Sequence, residues 1–161
     1  MYSIGTEEYI RRVVEDYSPM LLRLAMTRSL STADAEDAVQ EVFLRLLTQL
    51  PRFRDGEHER AWLIRTTIHR ASDLRKAASN RTLPLEEAEV VAMPEEAESS
   101  PILSAVQALP EKYSTVIHLY YYEGYTIKEI AKLLGLPTPT VGTRLSRGRE
   151  KLRKLLEEEV L

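Results

Sequence analysis

Apolar side chains recur at three- and four-residue spacing through most of this 161-residue chain, the period of helices that bury one face. Leu21, Leu22, Leu24 and Ala25 carry the first clear stripe. Ser18-Pro19 just before it reads as a cap followed by a proline at the first helical position, and so predicts a helix start there. After a break at 29–32, Ala35, Val39, Val42, Phe43, Leu46 and Leu50 make a second stripe, which Pro51 ends. The run PRFRDGEHER is polar and reads as a loop. A third helix is predicted from about 59 to 78, with Leu63, Ile64, Ile68, Ala71 and Leu74 inward. Trp62, at its start, belongs with that core. Ser100-Pro101 caps a short helix reaching Leu109, and Pro110 opens another that ends near Gly124, with Tyr113, Val116, Ile117 and Tyr120 on its inner face. No tandem repeat and no alternating strand pattern occurs.

The helical period stops between 79 and 100. Pro84, Pro94, six glutamates and no aromatic residue fill that stretch, a composition suited to a flexible or extended tether. The expected fold is therefore all-α: two small helical domains at 1–78 and 101–161, joined by an acidic linker at 79–100.

Residues 126–154, TIKEIAKLLGLPTPTVGTRLSRGREKLRK, read as helix, tight turn and basic second helix. Thr126 and Glu129 have capping-box spacing. Ile127, Ile130, Ala131 and Leu134 share a buried face, and Gly135 stands where a helix end needs positive φ. Thr138 then caps a helix with Pro139 at its first position. At 100° per residue, Val141, Leu145, Gly148, Leu152 and Leu155 face inward, while Thr143, Ser146, Arg147, Glu150 and Lys154 lie opposite. Arg144, Arg149 and Lys151 flank the outer strip. Six of the 17 residues from 138 to 154 are basic and only Glu150 is acidic. A capped turn, a buried stripe and a basic strip together point to a helix-turn-helix that reads duplex DNA. Thr143, Ser146 and Arg147 would lie near bases, with Arg144, Arg149 and Lys151 on phosphates. The bland reading, a solvated amphipathic helix ending a bundle, explains the stripe but not the coincidence.

The formal net charge of −3 is at odds with DNA binding until it is divided along the chain. Residues 1–77 carry 12 basic and 12 acidic side chains, 78–100 one and six, and 101–161 nine and seven. The acidity sits in the tether, so charge placement is what informs. The chain has no cysteine, which excludes a disulfide framework and thiolate metal sites and fits a reducing cytoplasm. His58, His69 and His118 are scattered without zinc spacing, so neither metal nor cofactor is expected. The first residues lack an apolar signal core, and no apolar run approaches the ~20 residues of a membrane span. The expectation is a cytoplasmic chain with no membrane contact of its own.

Taken alone, Asp34, Glu36, Asp37 and Glu41 beside an apolar face are a solvated face or a cap cluster. In order along the chain, however, DAEDAVQEVF, AWLIR, DLRK, LPEKY, YYYEGYTIKEIAKLLGLP and TVGTRLSRGREKL resemble the bacterial sigma factors of the extracytoplasmic-function group, over nearly all of both domains. The resemblance implies that 1–78 is like region 2 and 101–161 like region 4 of the sigma-70 family. It implies core RNA polymerase contacts at Asp34, Asp37, Gln40, Glu41 and Phe43. It implies capture of the melted −10 element, with one base flipped out, by Phe53, Arg54, Arg60, Arg65, His69, Arg70 and Lys76. Extruding a base costs a few kcal/mol of stacking, which a fitted pocket and backbone cations must offset. His69 stands where many members carry Asn. The −35 element would be read as duplex by Thr138, Thr140, Thr143, Arg144, Ser146, Arg147, Arg149 and Lys151. Gly142 stands where many members carry Arg or Lys, and Thr138-Pro139-Thr140 replaces a commoner glycine-containing turn. An anti-sigma factor that covers these surfaces is a further partner that the resemblance suggests.

The tether has the reach for this task. Its 22 residues span roughly 75 Å when extended, and promoter elements ~17 base pairs apart lie roughly 58 Å from one another. Two other classes of protein fit less of the chain. A helix-turn-helix regulator acting outside polymerase accounts for the C-terminal half alone, and no dimer helix accompanies it. A metal-dependent nuclease built on Asp34, Asp37 and Glu41 lacks a base, a nucleophile and a ligand set. The chain is expected not to be an enzyme.

Overall fold

The computed structural model describes residues 6–28, 30–80 and 101–160. The acidic stretch 81–100, on which most of the linker reading falls, and the cap assigned to Ser100 lie outside them. The described residues form α1 (Glu7–Met26), α2 (Thr32–Gln49), α3 (Gly56–Asn80), α4 (Pro101–Ala108), α5 (Glu111–Ile117), a π-helical segment (His118–Tyr122), α6 (Ile127–Leu134) and α7 (Thr138–Val160), with no strand among them.

Helix α1 starts well before the expected Ser18-Pro19. Thr6 caps it by accepting from the Tyr9 N–H at 3.1 Å, and Glu7 and Glu8 favour the positive end of the helix dipole. Pro19 lies inside the helix, exposed, where it removes one backbone hydrogen bond. The helix continues through it because Tyr9, Val13, Tyr17, Leu21 and Leu24 form one uninterrupted buried stripe. The Ser31 side chain caps α2 by accepting from the Asp34 N–H at 3.0 Å. Ala35, Ala38, Val39, Val42 and Leu46 are buried along α2. Leu50, expected at the end of that stripe, is instead a left-handed cap with φ 46° and is 51% exposed. Its altered backbone carries the side chain off the helical face.

Helix α3 begins three residues before the expected 59, because Asp55 accepts from the His58 N–H at 2.8 Å. It continues through 79 and 80, so the helix takes in the first two residues assigned to the tether. Its first turns carry a buried carboxylate that no local pattern of residues predicts. Glu59, 6% exposed, accepts from the Tyr9 hydroxyl at 2.8 Å, from the Tyr17 hydroxyl at 3.2 Å and from Arg12 at 3.0 Å. This network fixes α3 against α1. Trp62 is half-buried rather than buried, edge-on to Phe53.

Helices α1, α2 and α3 pack on one another, and α4, α5 and α6 gather around α7. Leu21, Leu46 and Leu63 are fully buried in the first group, as are Leu119 and Ile130 in the second. Truncating any one to alanine costs about 2–5 kcal/mol by the usual sum of transfer and cavity terms. The two groups also touch: α3 packs on α6, and buried apolar residues from Tyr9 to Leu145 form one connected cluster.

Candidate functional site

The last two helices follow the local chemistry closely. Thr126 accepts from the Glu129 N–H at 3.1 Å, and the Glu129 carboxylate accepts from the Thr126 N–H at 3.0 Å, a complete capping box. Gly135 takes φ 66° and returns its N–H to the Ala131 carbonyl. Helix α7 begins at Thr138, one residue ahead of the expected first position. The Pro137 carbonyl accepts from the N–H groups of Thr140 and Val141. Val141 and Leu145 are buried, and Leu152 and Leu155 pack partly against the core. Gly148 is buried because α5 crosses there: a Cβ on it would lie 3.2 Å from Ile117 Cγ1 and 3.3 Å from Tyr113 Cβ.

The outer face of α7 is exposed at Thr143, Ser146, Arg147, Arg149 and Lys151, and half-buried at Thr140 and Arg144. Thr140, Thr143, Arg144 and Arg147 line one shallow groove, together with Lys112 and Tyr113 of α5. Lys112 is an addition that the sequence reading missed. The Lys112 and Lys151 ammonium groups lie 5.1 Å and 5.7 Å from the Tyr113 ring centroid, which draws two cations to the groove wall. The signal lay in LPEKY, two residues after the helix-opening Pro110. Thr138 and Arg149 project from the opposite flank of α7 by helical spacing.

The seven residues assigned to melted DNA do not share one surface. Arg65, His69 and Lys76 form an exposed strip along α3, by 100° spacing and exposure. Phe53 is half-buried against His58 and Trp62, and Arg54 is exposed beside it, its N–H donating to His58 Nδ1 at 3.2 Å. Arg70 turns toward α2 and forms an ion pair with Glu41. Arg60 reaches the hydroxyls of Tyr17 and Tyr125, and Arg65 donates to the carbonyls at the end of α6.

A groove of about 500 Å³ runs between α1 and α2. Val14, Leu44 and Leu47, each more than a third exposed, give it an apolar floor and rim, and Gln40 and Phe43 line it. Asp37 is exposed on the same helix and Asp34 is half-buried at its start. Of the five residues assigned to polymerase, Glu41 alone is turned toward α3, held by Arg70 and by Arg45 at 3.3 Å.

At the π-helical segment, His118 is 2% exposed, stacks on Tyr122 and meets Glu123 at 2.7 Å. Glu123 also accepts from Arg23 of α1 at 3.1 Å. Burial alone would raise the Glu123 carboxyl; the hydrogen bonds from His118 and Arg23 outweigh it and hold the group below its ordinary value.

Comparison with known proteins gives matches across the chain. Residues 13–81 match the family model described as Sigma-70 region 2, and residues 99–152 match Sigma-70, region 4. The chain is 31% identical over 172 residues to the ECF RNA polymerase sigma factor SigW of Bacillus subtilis, covering 96% of this chain and 92% of that one. It is 30% identical over 159 residues to RNA polymerase sigma factor SigV of the same organism, covering 97% and 96%. Among solved structures, CnrH in complex with the cytosolic domain of CnrY superposes with a TM-score of 0.70 at 28% identity, covering 96% of this chain and 91% of that one. The sigma factor RpoE of Bartonella quintana, in complex with the anti-sigma factor NepR, shares the fold with a TM-score of 0.72 at 21% identity, covering 94% and 98%.

Proposed function

We propose how promoter-directed initiation is divided along this chain, which belongs to the extracytoplasmic-function RNA polymerase sigma factors of the sigma-70 family. It is a sigma factor, and its activity is to direct transcription initiation at specific promoters. A regulator that never enters polymerase leaves the region-2 match over 13–81 without a role.

In this reading 1–78 docks on core polymerase and takes the −10 element, 79–100 is the acidic linker, and 101–161 grips the −35 element with a helix-turn-helix. The groove between α1 and α2 receives a polymerase helix. Its apolar floor, with Gln40 and Phe43 lining it and Asp34 and Asp37 beside it, suits a partner with one apolar face and basic neighbours. Glu41 acts behind that surface, by holding Arg70. The −10 strand lies along Arg65, His69 and Lys76, with Phe53, Arg54, Arg60 and Arg70 around it. The −35 duplex rests on the groove of Thr140, Thr143, Arg144 and Arg147, with Ser146 beside it. Lys112, Arg149, Lys151 and Thr138 hold phosphates. That groove is the observation that carries the proposal, because three cations, two hydroxyls and a ring converge there from two helices.

The chain is not an enzyme in this reading and needs no cofactor. It acts in the cytoplasm; among the described residues no helix is long and apolar enough to cross a membrane. An anti-sigma factor is a further partner, supported by solved relatives captured in complexes. The test is a reconstituted run-off assay. Purified chain with core polymerase should start transcripts at one promoter class. If the chain neither binds core nor supports initiation at any promoter in a genomic library, the reading fails.

A further inference from the structure

Glu59 and Arg60 are neighbours near the start of α3, one buried and one exposed. Both reach the hydroxyl of Tyr17 on α1. Each oxygen of the Glu59 carboxylate takes two hydrogen bonds. Oε1 accepts from Tyr17 at 3.2 Å and from Arg12 at 3.1 Å, and Oε2 accepts from Tyr9 at 2.8 Å and from Arg12 at 3.0 Å. A carboxylate can only accept, so each phenol must point its proton at it. Burial and the Glu59 charge raise the Tyr17 phenol above its ordinary value of 10, which keeps that proton in place.

The polarity of the Tyr17 hydroxyl follows. Its one proton goes to Glu59, so its lone pairs are left to accept. Arg60 can only donate, and it is the donor that reaches this oxygen. The chain of bonds therefore runs one way, from Arg60 to Tyr17 and from Tyr17 to Glu59. Arg12 balances the Glu59 charge. Arg60 is thus held by a neutral oxygen, which fixes the guanidinium without cancelling its charge. A buried ionic network of this kind adds little net stability, because removing the charges from water offsets their attraction. What it supplies is direction. Apolar contacts between α1 and α3 tolerate small shifts, whereas four hydrogen bonds on one carboxylate do not.

We propose that Tyr17 and Glu59 are positioning residues for Arg60, presenting its guanidinium to the melted −10 strand already oriented and still charged. The proposal rests on the assignment of Arg60 to that strand. A free arginine must be ordered when it meets the strand, and one held beforehand does not bear that cost. Tyr17 and Glu59 lie in the same helix group as Arg60, so the arrangement travels with the −10 residues. Both are buried and act on the strand only through Arg60. Arg60 also reaches the Tyr125 hydroxyl, a second neutral oxygen, but Tyr17 is the one that Glu59 orients.

A double-mutant cycle in the holoenzyme tests this, with the full chain on core polymerase and the promoter that run-off transcription identifies. Tyr17→Phe keeps the buried ring and removes the hydroxyl, and Arg60→Ala removes the cation. Tyr17→Phe should shorten the open-complex lifetime about fivefold, the scale of ordering one long side chain on binding. Arg60→Ala should shorten it further, and adding Tyr17→Phe to Arg60→Ala should then change nothing. Tyr9→Phe removes a bond to the same carboxylate away from Arg60 and should leave the lifetime unchanged. Core affinity should hold in every variant, which a merely structural loss would not allow. Glu59→Gln is the second variant, run through the same cycle in case Tyr17→Phe disturbs folding. An amide there can donate to the phenol, so the hydroxyl is no longer bound to point inward; the resulting loss should again vanish beside Arg60→Ala. Additive losses, an equal loss in Tyr9→Phe, or weakened core binding overturn the proposal. A full lifetime in Arg60→Ala refutes the assignment of Arg60 to the strand. A short lifetime there beside an unaltered one in Tyr17→Phe refutes the positioning role alone.

Discussion

Glu41 of α2 and Arg70 of α3 form an ion pair that ties the helix proposed to face polymerase to the helix proposed to carry the −10 residues. Each side chain is about 30% exposed, 33% for Glu41 and 29% for Arg70, so the pair is neither freely solvated nor fully desolvated. In a double-mutant cycle of Glu41→Gln and Arg70→Met, urea stability should show a coupling of about 0.5–1 kcal/mol. Additive effects would mean that the pair contributes nothing in solution. Glu41→Gln alone should also weaken open-complex formation, since it frees Arg70.

Arg147→Ala should weaken binding to the cognate −35 duplex by about 1–3 kcal/mol and relax sequence preference at one position. Affinity for core polymerase should not change, because Arg147 is exposed on α7, far along the chain from the α1–α2 groove. Gel-shift titration on duplex and a separate core-binding assay distinguish the two. Loss of both would argue against separable grips.

Two glycines of α7 should respond in opposite ways. A Cβ at Gly142 meets nothing within 4 Å, so Gly142→Ala should raise stability by about 0.5–1 kcal/mol through helix propensity alone. A Cβ at Gly148 presses on Ile117 and on the backbone-anchored Cβ of Tyr113, so Gly148→Ala should cost about 1 kcal/mol by overpacking. Thermal unfolding of the two variants side by side checks the contrast; equal shifts would remove the close α5–α7 crossing as its cause.

The depressed Glu123 carboxyl gives the fold an acid limit. Its folded pKa lies below the ordinary value of 4.5. Its ionised form therefore contributes stability that is fully present above about 4.5 and is lost as pH falls through the folded value. In Glu123→Gln, stability measured between pH 6 and about 3 should fall less steeply than in the unaltered chain. An unchanged slope would show that the Arg23 and His118 bonds do not hold the carboxylate.

Short-range chemistry made the last two helices legible. The Thr126–Glu129 box and the Gly135 turn are written within ten residues, and the α7 stripe repeats often enough to fix its faces. Pro19 misled because a proline at a helix start and one tolerated on an exposed helix face look alike without knowledge of Tyr9, Val13 and Tyr17 packing behind it. The π-helical segment at 118–122 was likewise hidden inside a helical pattern. Glu59 could not be read at all, since its partners Tyr9, Arg12 and Tyr17 lie 42 to 50 residues away. The arginines of α3 were legible as cations but not as partners. Arg65 meets carbonyls 67 and 68 residues on, and backbone carbonyls leave no trace in side-chain identity.

Leu50 closes α2 with a backbone conformation that suits glycine or asparagine, at φ 46°, and it leaves half of its side chain in water. A glycine there would relieve the strain at no loss of core. With Leu44 and Leu47 it extends an exposed apolar edge along α2. The end of α2 thus holds apolar surface in water that the chain's own packing leaves uncovered.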